Sequence, residues 1–362
     1  MTRATWSSTV VAAVATLTLA ACGADPAPEA TDDQSPTSPA SSSAVPAQSI
    51  EFKACLAGDA GGEDGPLNRA ALAGLLAAQT NLGVEVGQLV STSDAVHLDN
   101  LNALVSQGCN SVTAVGSTMV GATEKAARTN PEVDFSVVDA DVGAARDNLK
   151  GLTFAAAEPA FLAGYLAAAE SESGVVGTMG GAEVASVMAV MEGFRQGVER
   201  FNEDNGAAVE LLGWDGANGS FLVDVDDAAV GAAIAEDLLE RDADVVMPVA
   251  GPTREAGLGA LQAVEDAGAR AIWVDTDGCE SVADHCDILL TSVLKNMDVA
   301  VEEAVGSSVD ESFSSEPYVG TLANDGVGLA PFHEADADVS EAVKERLEEL
   351  REQIVDGSLT VG

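Results

Sequence analysis

From Ile50 to the C-terminus, short β-branched runs alternate with stretches of helical length, and this alternation limits what the chain can fold into. A strand followed by a helix and then another strand needs a crossover, so repeated alternation predicts parallel sheets with helices on their faces. Eleven runs read as buried strands: 51–57, 84–90, 111–115, 134–138, 151–154, 174–179, 209–212, 245–249, 271–274, 288–292 and 318–322. Helical stretches fall at 68–80, 94–107, 120–129, 158–171, 184–204, 226–241, 253–267 and 296–305. A last helix is expected from Ser340 to Asp356, with Ser340 as N-cap, Val343, Leu347, Leu350 and Ile354 on one face, and Gly357 as the stop. The span 49–362 is too long for one simple doubly wound sheet, so two α/β lobes are expected. The alternation weakens near 150–158 and 276–290. Crossovers placed there give an N-lobe of about 50–152 plus 277–316 and a C-lobe of about 153–276 plus 317–362.

The first 48 residues read as an address and a spacer. Arg3 precedes an apolar run, Val10–Ala21, which is too short to span a bilayer but suits the apolar region of a signal peptide, here 1–21. The run ends Leu19-Ala20-Ala21-Cys22, which resembles the lipobox of bacterial lipoproteins and marks Cys22 for lipidation. Residues 22–48 are rich in Pro, Ser, Ala and Asp without apolar period, the composition of a flexible tether. Such an anchor places the domain on the extracytoplasmic face of a bacterial cell membrane. Cysteine 22 aside, four cysteines remain, an even number in an oxidising compartment. Cys279 and Cys286 share one polar loop. Cys55 lies in the first strand and Cys109 just before the third, so the expected pairs are 279–286 and 55–109.

Charge excludes whole classes of partner. The chain carries 59 acidic and 16 basic residues, a net charge of −43, and nucleic acid or anionic lipid surfaces need the opposite balance. The same charge favours a soluble monomer. The three histidines, His97, His285 and His333, are scattered, and no HExxH, GxSxG or GxxxxGK[ST] pattern occurs, so neither a metal nor another cofactor is expected and catalysis is not.

In open α/β sheets ligands bind beyond the carboxyl ends of the strands, where strand order switches. The loops expected there are Gly58–Asn68, Gly116-Ser117-Thr118, Asp139-Ala140-Asp141, Gly180-Gly181, Ala250–Thr253 and Asp275-Thr276-Asp277. They offer carboxylates, amides and bare backbone, and no base–nucleophile pair. Carboxylates accept hydroxyl hydrogens, as a sugar diol requires, and the alternative for each aspartate is a turn or cap. Only one of Asp275 and Asp277 is expected to reach a cleft, because alternate strand-end residues point to opposite faces. Phe221, in a Gly-rich stretch, is either a stacking platform or a plug under its loop. Lys295 follows a strand and reaches either a ligand acceptor or a surface carboxylate.

These segments resemble one family, the basic membrane protein or PnrA-like substrate-binding lipoproteins of nucleoside ABC importers. Gly58–Asn68 is similar to the family's D-x-G-G-x-x-D-x-S-F-N loop, and Phe154–Tyr165 to F-x-x-x-E-A-A-F-L-A-G-Y. Val176–Gly181 with Glu192–Val198 resembles V-G-x-x-G-G followed by x-G-F-x-x-G-V. Val274–Asp277 resembles V-D-x-D, and Thr291–Lys295 resembles T-S-x-x-K. The resemblance implies a type I periplasmic-binding-protein fold, two Rossmann-like lobes on a hinge that close on a purine nucleoside, and a permease as partner. It implies that Asp59 and Asn68 contact the base side with Asp139 nearby, that Phe221 stacks on the base, and that Asp275 and Lys295, with backbone from Gly251, hold the ribose. Asp277 completes the candidate set. Leu67 stands where the family has Phe, Pro66 where it has Ser, and Ser117-Thr118 where an aromatic is common. A sensor or binding protein for a sugar, and an extracellular nucleoside hydrolase, are the alternative readings.

Overall fold

The computed structural model describes residues 51–62, 65–143, 146–223, 227–250 and 254–362. Residues 47–362 form one compact unit. The expected signal peptide 1–21, the tether 22–48, Cys22 and Gly251 lie outside the described residues.

In chain order the elements are β1 (Lys53–Gly58), α1 (Pro66–Leu82), β2 (Glu85–Val90), α2 (His97–Ser106), β3 (Ser111–Val115), α3 (Val120–Thr129), β4 (Asp134–Val138), β5 (Leu149–Phe154), α4 (Ala157–Glu170), β6 (Val175–Gly180), α5 (Ala185–Asn205), β7 (Glu210–Leu212), α6 (Ala228–Glu240), β8 (Val245–Val249), α7 (Arg254–Asp266), β9 (Arg270–Asp275), α8 (Gly278–Ser281), β10 (Leu289–Lys295), α9 (Met297–Val309), β11 (Tyr318–Gly320), β12 (Val327–Leu329) and α10 (Glu341–Val355). They build two six-stranded sheets, ordered β11-β5-β4-β3-β1-β2 and β12-β10-β9-β8-β6-β7. All pairings are parallel except β10 with β12. Both sheets reverse direction of winding at the same place: between β1 and β3 in one lobe, and between β6 and β8 in the other. The switch points therefore set the loops after β1, β3, β6 and β8 around one crevice.

The chain crosses between lobes three times, at 155–156, at 296 and at 321. Backbone hydrogen bonds tie the crossings together: the Ala155 N–H donates to the Gly320 carbonyl and the Asn296 N–H to Gly326. The Glu158 carboxylate, in the first turn of α4, accepts from the Leu322 N–H at 2.8 Å, which gives the glutamate of that sequence motif a place at the hinge.

The expected lobe boundary at 277 is corrected. Residues 277–295 belong to the C-lobe, because β10 is hydrogen-bonded to β9 and β12. Residues 297–309 do join the N-lobe, where α9 packs with α1 in one core that includes Met297, Ala300, Val301 and Tyr318. β11 also belongs to the N-lobe, paired with β5. The polar, cysteine-bearing loop at 279–286 is an excursion within the C-lobe, and the true crossing follows Lys295 directly, with Asn296 alone between strand and helix and no Gly or Pro to announce it. Disulfides join Cys55 to Cys109 and Cys279 to Cys286. The first pins the buried strand β1 to the turn that feeds β3.

Helices α4 and α5 cross at glycines. A Cβ on Gly164 would run into the Phe194 carbonyl, and one on Gly197 into the Phe161 carbonyl, so the two helix backbones touch. That contact explains the A-G-Y and G-F-x-x-G elements of the sequence as packing rather than ligand chemistry. Neither helix can yield without breaking the C-lobe core of Phe161, Met191 and Phe194. Gly197→Val is expected to lower the unfolding free energy by about 1–3 kcal/mol, the usual penalty for overpacking, read from the urea midpoint. An unchanged midpoint would show that the helices can slide apart freely.

Candidate functional site

A cavity of about 480 Å³ lies in the crevice between the sheets. The N-lobe contributes Asp59, Leu67, Gly116, Ser117, Thr118 and Asp139. The C-lobe contributes Gly181, Val184 just before α5, Val187 and Val190 on α5, and the strand ends Val249, Val274, Asp275 and Lys295. The size falls in the roughly 300–1,000 Å³ range of small-molecule sites, and an apolar wall with a few convergent polar groups is their usual make-up.

The centre of the polar set is Lys295. Its ammonium lies 3.0–3.1 Å from both carboxylate oxygens of Asp139 and 3.0 Å from Asp275. Asp139 comes from the N-lobe, and Lys295 and Asp275 come from the C-lobe, so this ion bridge spans the crevice. The lysine side chain is only 12% exposed. Burial works to lower its pKa, but the charges of Asp275 and then Asp139 outweigh that, and the pKa ends above its ordinary value. Lys295 is therefore a fixed cation.

Both aspartates sit in the left-handed region, Asp139 at φ 55° and Asp275 at φ 71°. Each follows or ends a strand, and the left-handed turn swings the carboxylate back over the strand's end. Asp tolerates this conformation better than most residues, at a backbone cost of order 1–3 kcal/mol. The surrounding ladder enforces it: the Asp139 N–H still donates to the Leu152 carbonyl at 2.8 Å.

Asp59 is held by its own loop. Its Oδ1 accepts from the Gly61 N–H and from Asn68 Nδ2, both at 2.9 Å. Asn68 also donates to the Gly62 carbonyl, and its Oδ1 accepts from the Asp59 N–H. The Asn68 amide is thus committed within the loop, and the side chain is 3% exposed. Asn68 positions Asp59; it is not the cap of α1, which starts at Pro66 behind Gly65. Gly116, at φ 88°, lies beside the other Asp59 oxygen: a Cβ there would sit 3.4 Å from Oδ2.

Two of the expected residues, Asp277 and Phe221, lie elsewhere. Asp277 caps α8 by accepting from the Cys279 N–H, and it pairs with His333 Nε2 at 2.7 Å. It is outside the cavity lining. Asp277, Cys279 and His333 lie close enough for a metal ion, but the Cys279 sulfur is bonded to Cys286 and is no thiolate ligand. Phe221 is also outside the lining. It packs edge-on against Trp214, with ring centroids 6.2 Å apart, and fills the space over Gly180. Gly251 is outside the described residues. Trp214 in turn donates its indole N–H to Glu192 at 2.9 Å. The residues that sequence reading did not pick out are Val184, Val187 and Val190.

The described lining residues hold no histidine or cysteine, and their charge is three carboxylates against one ammonium. The arrangement can bind hydroxyl and N–H donors between two lobes. It defines a two-lobed solute-binding protein. The sequence matches, over residues 53–360, the family of PnrA-like ABC transporter substrate-binding proteins. The chain belongs to that family. It is 26% identical over 330 residues to a protein named CD4+ T-cell-stimulating antigen of Listeria innocua, covering 86% of this chain and 88% of that one. It is 27% identical over 328 residues to the ABC transporter nucleoside-binding protein BmpA of Lactococcus lactis, covering 86% and 89%. Its fold matches the crystal structure of an ABC transporter system solute-binding protein of Aeropyrum pernix, with a TM-score of 0.69 at 24% identity over 85% of this chain and 92% of that one. The Lactococcus and Aeropyrum proteins are named as binding proteins. Among the described residues no helix is long and apolar enough to cross a membrane.

Glu192 gives the scaffold a pH signature. Hydrogen bonds from Arg195 first, and from Trp214 and Gln196, outweigh burial and hold its pKa down to about 2 from an ordinary 4.5. A carboxylate with a depressed folded-state pKa stabilises fully above its unfolded value and loses that contribution as pH falls through the folded one. Glu192→Gln is expected to be less stable than wild type by a constant margin above about pH 5, the margin shrinking from about pH 4.5 towards pH 2 in urea titrations. A margin independent of pH would mean that the Glu192 charge does not matter to the fold.

Proposed function

We propose that this protein is the substrate-binding component of an ABC importer and that it takes a purine nucleoside into the crevice between its lobes. The observation that carries the reading is the bridge Asp139–Lys295–Asp275. A vicinal diol offers two hydroxyl hydrogens and four lone pairs. Two carboxylates can accept the hydrogens while one ammonium donates to the oxygens, so a ribose edge can replace the contacts these groups make with each other. Asp59, on the far side of the crevice, supplies an acceptor for base N–H groups. The valine wall and Leu67 cover an apolar ring face. The kinship to a relative named as nucleoside-binding supports the same reading.

Closure follows from the position of the site. A ligand that touches Asp59 and Asp139 on one lobe and Asp275 and Lys295 on the other binds the closed form best and shifts the population towards it. The closed lobes then present one surface to the permease. The protein acts as a monomer, tethered through a lipid on Cys22 to the extracytoplasmic face of the membrane, with residues 22–48 as spacer. It uses no cofactor and turns nothing over.

Ligand-dependent thermal unfolding tests the reading. A purine nucleoside at a hundred times its dissociation constant is expected to stabilise by about 2.7 kcal/mol. Free ribose, other sugars and nucleoside monophosphates are expected to give no such shift, the last because the site's carboxylates outnumber its cations. Asp275→Asn and Lys295→Met are each expected to remove the shift while the protein remains folded. Stabilisation by a sugar and by no nucleoside would overturn the assignment.

A further inference from the structure

We propose that the ligand is larger than an unsubstituted nucleoside: the crevice has a second chamber that receives an apolar, uncharged or cationic substituent against Trp273. This rests on the nucleoside reading above and names the ligand class more narrowly. The second chamber measures about 310 Å³. Asp59, Leu67, Val274 and Asp275 line both it and the main cavity, so the two adjoin and a substituent passing between these four side chains would enter it.

The walls of the second chamber differ from those of the first. The main cavity's described lining has no aromatic side chain. The second chamber has Trp273. That ring is fixed in place: it is 7% exposed, packed in the C-lobe core, and shows the chamber only its edge, and a Cβ on Gly257 would come 2.9 Å from its Cη2 and one on Gly278 3.0 Å from its Cβ. The two glycines leave room for the indole and little more. A rigid aromatic wall presents contact area without the loss of side-chain freedom that a mobile one brings. The Trp214 indole N–H is committed to Glu192, whereas that of Trp273 makes no hydrogen bond among the described residues.

Charge sets the other half of the specificity. Asp59, Glu255 and Asp275 line the chamber, with no basic side chain among its described lining residues. An anionic extension would meet three carboxylates. A neutral or cationic one with N–H donors would meet acceptors on one side and the exposed edge of the Trp273 ring on the other. A substituted exocyclic amine on a purine has both properties, an N–H at the ring and an apolar group beyond it.

The experiment uses residues 47–362, which form a compact unit with their own cores. Isothermal titration compares adenosine, adenosine carrying a benzyl group on its exocyclic amine, and the carboxylated benzyl analogue. The benzyl compound is expected to bind about tenfold more tightly than adenosine, and the carboxylated one more weakly than the benzyl compound. In Trp273→Ala the benzyl advantage is expected to vanish while adenosine affinity holds. A second readout leaves Trp273 in place. Trp214→Phe makes Trp273 the sole tryptophan of residues 47–362, and the benzyl compound is expected to change its emission more than adenosine does. Equal affinity for adenosine and the benzyl compound, or an advantage that survives Trp273→Ala, overturns the second chamber while leaving the nucleoside reading intact. No binding of any of the three, with the protein folded, overturns both.

Discussion

One ammonium held between carboxylates of two lobes is the interaction on which the rest of this structure depends. Lys295 closes the last parallel strand of the C-lobe, and the residue after it begins the crossing into the N-lobe. Its partners, Asp139 and Asp275, sit at the ends of strands in opposite sheets. A cation so placed reports directly on whether the lobes are together, because opening the crevice separates it from Asp139 and leaves it with Asp275 alone. Burying a charge is unfavourable unless it is paired. The closed crevice supplies both partners, and a ligand's hydroxyls can supply replacements. Binding and closure are then one event, described as a population shift.

The fold exists to bring those strand ends together. Two sheets of the same order place two switch points face to face, and hinge crossings tied by backbone hydrogen bonds keep them aligned. The helix pair α4–α5, packed backbone to backbone through Gly164 and Gly197, forms the C-lobe floor behind the valine face. Glu158 anchors the first turn of that pair to the third crossing. Motifs that look like site signatures in the sequence thus divide into two kinds. The glycines and Glu158 hold the lobes and the hinge, and the strand-end aspartates and Lys295 face the ligand.

Much of the architecture was legible because strand–helix alternation is a periodic signal that burial enforces along the whole chain. The helices from 66–82 to 341–355 and eleven of the strands follow from it. The lobe boundary at 277 was misplaced because a polar loop and a true crossing look alike in sequence. The real crossing, Lys295-Asn296-Met297, passes from strand to helix through one residue with no Gly or Pro to mark it. β12 was invisible for a different reason: three residues pairing with an edge strand carry no period. At the site, the aspartates could be located but not their left-handed turns, which the neighbouring ladder imposes. The position of Phe221 depends on Trp214 and Gly180, and that of Asp277 on His333, partners distant in the chain whose arrangement no local pattern reveals. Trp273 was passed over because a tryptophan in a strand reads as core. It is core, 7% exposed, and only the edge left by its packing against Gly257 and Gly278 reaches the chamber.

The most direct test of this account is the distance between the lobes measured with and without ligand. Spin labels at Lys125→Cys in α3 and Glu236→Cys in α6, both exposed helix positions, report that distance by double electron–electron resonance. With a purine nucleoside that calorimetry shows to be bound, the distribution is expected to narrow and shift to the closed separation. The same ligand is expected to leave Lys295→Met broad. A distribution that is identical with and without bound nucleoside in the wild-type protein would contradict the coupling of ligand binding to lobe closure through Lys295.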